Sequence, residues 1–477
     1  MTLTKSMLLG AAAVLTTVGV ASAADLPSRK SAPVEYVKVC NASGAGFFYI
    51  PGTDTCLKIG ATVLFEARYI PAALHTYKWT PAVGGVGAGV VNANRYNRDS
   101  TGSAARARVD FDSRTATSYG TLRAYAQLEA YYGTALASTG ALKSAGPASA
   151  TDASAARETT IVSKAFIQFA GITAGRAQSM FDFYAGAYNW ENLRGSNATT
   201  NLLAYTATFG GGFSATLSIE DETARRSMVG SVDSDAGQFL KVDVGGTRMP
   251  DIVANLRVDQ GWGSAQLSGA LHNARVSTVD GNMGPHDEKL GWAIQGGVKI
   301  NLPMLAAGDA LYLEAVYQKG AHSYMNGNNL TASEGVTANK HYGRGAGNLP
   351  SSPGLNLSDF DCVLVNGGCS QQKGFALTAA FKHNWTPTIS QSIYGSYMKT
   401  EYSGAVLASG IAADWTDARV GSNVVWSPVK GFTIGAEVMY AKKDMKTTNA
   451  SLNAFLNTYD IKKTDVVETR VRVQRQF

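Results

Sequence analysis

Charged side chains alternate with apolar ones in several segments of this 477-residue chain. In the clearest segment, residues 104–115, alanine, valine and phenylalanine of 105–111 hold one parity, while Arg106, Arg108, Asp110 and Asp112 hold the other. Successive side chains of a β-strand point to opposite faces, so this pattern predicts one apolar and one charged face. Charges that line an aqueous gap set ion preference. The cations with the polar parity on the first predicted strands are Lys58, Arg106, Arg108 and Arg123.

An alternative is that these cations only form ion pairs with acidic side chains on the same face of the predicted sheet. Two arginines on one face of a strand repel each other unless an acidic group lies nearby. Asp110 and Asp112 share that strand and parity, and could neutralise Arg106 and Arg108. The sequence leaves both interpretations open.

Catalytic and cofactor-binding motifs are absent from the sequence. The six histidines form no HExxH pattern, and neither GxSxG nor GxxxxGK[ST] occurs. The net charge of +6 comes without a basic block, so the sequence offers no nucleic-acid site. We predict no enzymatic activity, no cofactor, no metal and no nucleic-acid partner.

The first 23 residues have the pattern of a secretory signal peptide. Lys5 precedes an apolar stretch over 7–20, and Ala21-Ser22-Ala23 is an A-x-A cleavage site. Export implies an oxidising compartment, where cysteines form disulfides. The four cysteines lie in two local pairs, Cys40 with Cys56 and Cys362 with Cys369. Three connectivities are possible, and the local one closes the smallest loops; the absence of CxxC spacing disfavours a metal site.

Sixteen segments carry the period-two pattern. They are residues 57–70, 104–115, 119–131, 159–170, 171–177, 199–209, 211–221, 249–259, 261–276, 288–302, 310–321, 373–385, 389–401, 414–427, 432–443 and 464–477. Short and long connections alternate between them, as in outer-membrane barrels. We therefore predict an all-β fold, a 16-stranded antiparallel transmembrane β-barrel over 57–477. Residues 24–56 form a preceding segment at its periplasmic end.

Several motifs resemble those of the alphaproteobacterial general porins. Residues 34–40 (VEYVKVC) and 44–57 (GAGFFYIPGTDTCL) resemble the amino-terminal signature of that family. Residues 170–183 (AGITAGRAQSMFDF) resemble its fifth strand and constriction loop, and residues 361–369 and the terminal Phe477 also fit. The likeness extends over essentially the whole mature chain.

The resemblance implies a homotrimeric, water-filled channel in the Gram-negative outer membrane for passive diffusion of small hydrophilic solutes and ions. Expected partners are outer-membrane lipid, lipopolysaccharide and the barrel-assembly machinery, with Phe477 as the assembly signal. The third long connection, residues 178–198, would fold inward as a constriction carrying Asp182, Glu191 and Arg194 opposite the wall cations. Two alternatives are a substrate-specific channel and a plugged barrel that acts as an adhesin or structural anchor.

Overall fold

A computed structural model of the chain defines the fold over most of its length. It describes residues 38–69, 76–80, 89–93, 101–133, 157–231, 242–244, 246–278, 287–326, 360–365, 367–409, 412–450 and 463–477. The predicted signal peptide lies outside these residues and stays a prediction.

Within the described residues, sixteen strands form one antiparallel sheet that closes on itself. They are β1 (Thr55–Tyr69), β2 (Thr101–Thr117), β3 (Gly120–Gly133), β4 (Arg157–Phe169), β5 (Ile172–Gln178), β6 (Thr199–Gly210), β7 (Phe213–Glu220), β8 (Asp251–Gln260), β9 (Gly263–Thr278), β10 (Asp287–Asn301), β11 (Ala310–Lys319), β12 (Lys373–Asn384), β13 (Ile389–Glu401), β14 (Asp414–Val429), β15 (Phe432–Lys446) and β16 (Lys463–Gln476). Each strand pairs with its neighbours in the chain, and β16 pairs with β1. The predicted 16-stranded barrel is confirmed.

The register of the strands gives the barrel two chemically different faces. Val109 on β2 pairs with Ala61 on β1 and with Leu128 on β3, so apolar side chains of one parity form continuous outward rows. The outward Ile59, Val63 and Phe65 are exposed, whereas Glu66, which follows Phe65 and has the opposite parity, is buried. Closure satisfies the backbone of every paired strand, as a membrane span requires.

Smaller elements lie before β1 and in the connections between strands. They are strands Phe48–Tyr49, Thr76–Thr80, Gly89–Ala93, Met228–Ser231, Val242–Val244, Phe360–Val365 and Gly368–Gln371, 3₁₀ turns Asn41–Ser43, Glu222–Ala224 and His322–Tyr324, and the helix Gly404–Ser409. None of the helices in the described part of the chain is long and apolar enough to cross a membrane.

Both local cysteine pairs lie at disulfide distance. The Cα atoms are 5.9 Å apart for Cys40–Cys56 and 5.6 Å for Cys362–Cys369. The first pair ties the start of β1 to the segment before it, and the second joins Phe360–Val365 to Gly368–Gln371. The structure thus shows the local pairing among the three connectivities that the sequence allowed.

An apolar cluster lies among inward-facing residues and connections. Phe181, Tyr324, Met325, Met398 and Trp415 are buried together. Phe181 belongs to the connection between β5 and β6, and its ring meets that of Tyr324 edge-on at 4.8 Å. This cluster fixes one end of the connection that carries the candidate site.

Candidate functional site

The third connection, residues 179–198, begins after the short strand β5, which has only seven residues. The backbone N–H of Ser179 donates to the carbonyl of Ala198 at 2.9 Å, so the two ends of the connection lie together. The intervening residues therefore form a loop whose two ends meet at the barrel wall.

Side chains of the barrel wall bond the backbone of the first half of this connection. The carbonyl of Phe181 accepts from the amides of Gln266 at 3.2 Å and Gln295 at 2.9 Å. The N–H of Tyr184 donates to the Glu314 carboxylate at 2.9 Å. These three wall residues are buried, so the bonds form away from solvent, where losing one is costly.

The second half is held in the same way. The Glu437 carboxylate accepts from the N–H groups of Trp190 at 2.7 Å and Glu191 at 2.9 Å. The N–H of Arg194 donates to the Ser396 hydroxyl at 3.0 Å. The wall residues that bond the connection are Glu220 on β7, Asn255 on β8, Gln266 on β9, Gln295 on β10, Glu314 on β11, Thr378 on β12, Ser396 on β13, Arg419 and Asn423 on β14, Glu437 on β15, Arg470 on β16 and Arg68 on β1.

Two wall glycines make room for aromatic rings of the connection. A Cβ on Gly297 would lie 2.3 Å from the ring of Phe183, and a Cβ on Gly435 would lie 2.8 Å from the Trp190 ring. Glycine is needed at both positions for this close approach. Arg472 stacks on Trp190 at 4.5 Å from the ring centroid.

Asp182, a predicted constriction residue, is enclosed by the connection itself. Its carboxylate pairs with Arg225 at 2.9 Å and accepts from the Ser196 hydroxyl at 2.5 Å and the Ala198 N–H at 2.7 Å. The Asp182 and Arg225 side chains are both buried. Asp182 therefore organises the connection and presents no exposed charge.

Glu191 sits in a buried network of acidic and basic groups. Its carboxylate pairs with Arg68 at 3.0 Å and with Arg470, which lie on the first and last strands. Arg68 also pairs with Glu468 at 2.8 Å, and Arg470 with Glu66 at 3.2 Å. All five side chains are buried, so the charge of Glu191 is compensated within the wall.

Arg194 is also buried and paired. Its guanidinium donates to the Asp417 carboxylate at 2.5 Å and to the side chain of Asn326, and Trp415 lies 5.4 Å from it. Asp417 takes a second partner, Arg419, at 3.0 Å. The three predicted loop residues therefore all lie in ion pairs under the surface.

The predicted wall cations occupy a different environment. Lys58 is exposed, and the side chains of Arg106, Arg108 and Arg123 keep 18%, 29% and 29% of their exposure. Arg106 and Arg108 both pair with Glu129 across the strand boundary, at 3.6 and 2.6 Å.

The aspartates on β2 serve other partners. Asp112 pairs with Arg123 at 2.9 Å, and also with Arg114 at 2.9 Å. Asp110 accepts from the hydroxyl of Tyr125 at 3.1 Å. Wall ion pairs of the kind considered from the sequence exist, but Glu129 and not Asp110 or Asp112 neutralises Arg106 and Arg108.

On β2–β4, sequence reasoning missed two further described wall cations, Arg114 and Lys164. Arg114 shares the parity of Arg106 and Arg108, so the same alternation could have found it. Lys164 follows an irregularity in β4, where Gln127 pairs with Lys164 but the next residue of β3 pairs with Val162. The extra residue changes the parity of the strand, so simple alternation could not place Lys164.

The uncharged residues of the third connection form its exposed part. Those that keep partial exposure are Met180, Phe183, Ala185, Gly186, Tyr188, Asn189, Trp190, Asn192 and Asn197, and Ala187 is exposed. Burial raises the pKa of Tyr188 to about 12, so its hydroxyl stays neutral at physiological pH. No group of three His, Cys, Asp or Glu residues within the described ranges could hold a metal ion.

Comparison with known families decides the class of this barrel. The family model described as "Porin subfamily" matches residues 25–469. The chain belongs to this porin family. Curated relatives include Porin Omp2b of Brucella suis biovar 1 (strain 1330), 27% identical over 467 residues that cover 94% of this porin and 96% of the relative. Porin Omp2b of Brucella abortus (strain 2308) is 27% identical over 465 residues, with the same coverage.

A solved structure supports the fold of this porin. The outer-membrane channel DcaP of Acinetobacter baumannii aligns with a TM-score of 0.55 and 15% identity, over 90% of this chain and 99% of that one. Family, relatives and barrel together make this porin a multi-pass diffusion channel of the Gram-negative outer membrane.

Proposed function

We propose that this porin is a general diffusion channel, in which the third connection folds into the barrel and narrows it. The hydrogen bonds to β7–β16 and β1 carry this proposal, because the bonding side chains have the inward parity of their strands. A segment bonded around that arc leaves β2–β4 as the wall of the open side. Small hydrophilic solutes and ions would pass between this wall and the connection.

The proposal assigns different roles to the predicted site residues. Asp182, Glu191 and Arg194 hold the connection in place through buried ion pairs, whereas Arg106, Arg108 and Arg123 reach the passage. Lys58, near the short-turn end of β1, lies toward one mouth. We propose no enzymatic activity, since family and relatives indicate a channel.

A homotrimer is part of the proposal, and Arg176 on β5 supports it. Arg176 pairs in register with Asn201 of β6, whose outward neighbours Leu203 and Tyr205 are exposed. Its guanidinium donates to the carbonyl of Val162 at 3.0 Å, where the irregularity of β4 lies. An outward arginine costs roughly 2–4 kcal/mol at the bilayer midplane, and a neighbouring subunit over this face would remove it from lipid.

Phe477 fits the proposed role of assembly signal. It is 69% exposed, and its backbone exchanges hydrogen bonds with Ala61 on β1, at 3.0 and 2.8 Å. Phe477 thus extends the pairing of β16 with β1, while its ring points outward, where the assembly machinery and lipid would contact it.

Single-channel recording in planar bilayers tests the proposed function. A general porin gives large, nearly ohmic steps that occur in groups of three. Silent membranes would instead indicate a plugged barrel that serves as an adhesin or anchor. Saturable block by one solute would indicate a substrate-specific channel.

A further inference from the structure

Several inward carboxylates of this barrel are buried, whereas some of the inward cations reach the water-facing surface. The inward carboxylates Glu66, Glu129, Glu437 and Glu468 are all buried, and so is Asp417. The guanidinium groups that pair with Glu129 lie above it and keep 18% and 29% of their exposure. At Glu129 the carboxylate therefore lies below the cations, which are next to water, whereas Arg68 and Arg470 are as buried as the carboxylates with which they pair.

The strands opposite the third connection show this layering most clearly. Among the described side chains, the inward cations on β2–β4 are Arg106, Arg108, Arg114, Arg123 and Lys164. The inward carboxylates of these strands are Asp110, Asp112 and Glu129, of which the Asp112 side chain is 13% exposed and that of Glu129 4%. Among the side chains that the structure describes on β2–β4, five cations against three carboxylates give an excess of positive charge.

Lys164 contributes most directly to that excess. It is half-buried, and the structure shows no ion pair for it among the described residues. A charge with no close ion pair acts on a passing ion more strongly than a closely paired charge, which acts as a weaker dipole.

The opposite side of the passage does not restore the balance. The exposed residues of the third connection are uncharged, since Asp182, Glu191 and Arg194 are buried in pairs. One exposed lumen carboxylate, Asp259, lies on β8 near its short turn and pairs with Arg257 at 2.7 Å. Arg472 on β16 adds a further cation, 15% exposed, beside Trp190.

From this arrangement we infer that the passage prefers small anions, inorganic anions and small organic carboxylates among them, over cations. The inference rests on the proposed function, because it needs the passage to lie between the third connection and β2–β4. A wall of one sign raises the local concentration of the oppositely charged ion and excludes the other. The neutral, partly aromatic face of the connection narrows the gap without opposing that effect.

The test is the zero-current potential of the full mature porin in a tenfold potassium chloride gradient. We expect a zero-current potential with the sign that results when chloride is the more permeant ion. The conductance should fall more when acetate replaces chloride than when lithium replaces potassium. Lys164→Gln should lower the chloride-to-potassium permeability ratio about twofold. This is the screened effect, on two ions of opposite sign, of removing one charge about 8 Å from the ion in water with a Debye length of about 10 Å. Lys442→Gln is the matched control, since Lys442 is exposed on the outward parity of β15, and should leave the ratio unchanged.

The outcomes separate this inference from the proposed function. Channels whose wild-type potential has the potassium sign, or is zero, would overturn anion preference while leaving the diffusion channel intact. Equal ratios for Lys164→Gln, Lys442→Gln and wild type would show that the β2–β4 wall does not set selectivity. Absence of any conductance would overturn the proposed function itself.

Discussion

Glu437 offers the sharpest test of how the third connection is held. Its carboxylate accepts from the N–H groups of Trp190 and Glu191 and from the hydroxyl of Tyr394, and it is buried. Glu437→Ala leaves the buried N–H of Glu191 and the partly buried N–H of Trp190 without an acceptor, at about 1–3 kcal/mol each. A loss of at least about 2 kcal/mol raises the open population of this part of the connection roughly 30-fold.

Hydrogen exchange of residues 188–194 measures that opening, and single-channel recording gives its consequence as larger, noisier conductance. Glu437→Gln keeps one carbonyl oxygen as an acceptor, so its effect should be smaller. Glu288→Ala is the control, because the Glu288 side chain is 50% exposed and pairs with Arg275 far from the connection. Unchanged exchange and conductance in Glu437→Ala would refute the assignment of Glu437 as an anchor.

Three further variants probe the buried pairs. Asp182→Asn should hardly change the zero-current potential, because the charge of Asp182 is enclosed, but should lower the free energy of unfolding by up to about 3–5 kcal/mol. A change in zero-current potential larger than that caused by Lys164→Gln would contradict the enclosed position of Asp182. Arg194→Met should lower the unfolding midpoint by less than Asp417→Ala, because loss of Asp417 leaves both Arg194 and Arg419 without their carboxylate. Equal decreases in the midpoint would contradict this reasoning. Removal of the Cys362–Cys369 bond should destabilise the porin by roughly 2–3 kcal/mol, because the unfolded chain regains loop entropy. Peptide mapping of the wild-type porin without reductant should recover both local disulfides, and a crossed pair would contradict the assignment.

The strands could be predicted because their signal is local. In β2, Ala105, Ala107, Val109 and Phe111 alternate with charged residues, and no distant contact is needed to assign the two faces. The predicted ends differ by a few residues, as at β2, which begins at Thr101 and not at 104. End positions depend on where a neighbouring strand stops offering partners, which alternation does not encode.

The exposure of the candidate charges could not be predicted in the same way. Asp182 and Glu191 are buried because Arg225 and Arg470 neutralise them, and Arg470 is 279 residues from Glu191. Parity gives the face of a strand that carries a charge, whereas burial depends on what distant segments place over it. Alternation therefore predicted the inward parity of regular strands, but not that of Lys164 beyond the irregularity of β4, and not which inward charges meet water.

The position of Glu191 has a consequence for how the cylinder is completed. This residue from the middle of the chain bridges Arg68 on β1 and Arg470 on β16, the two strands whose pairing closes the sheet. It can take both partners only once the ends of the polypeptide have come together. Glu191 thus joins β1 to β16 from the inner face of the sheet, and separation of these two strands must also break the ion pairs that hold the third connection.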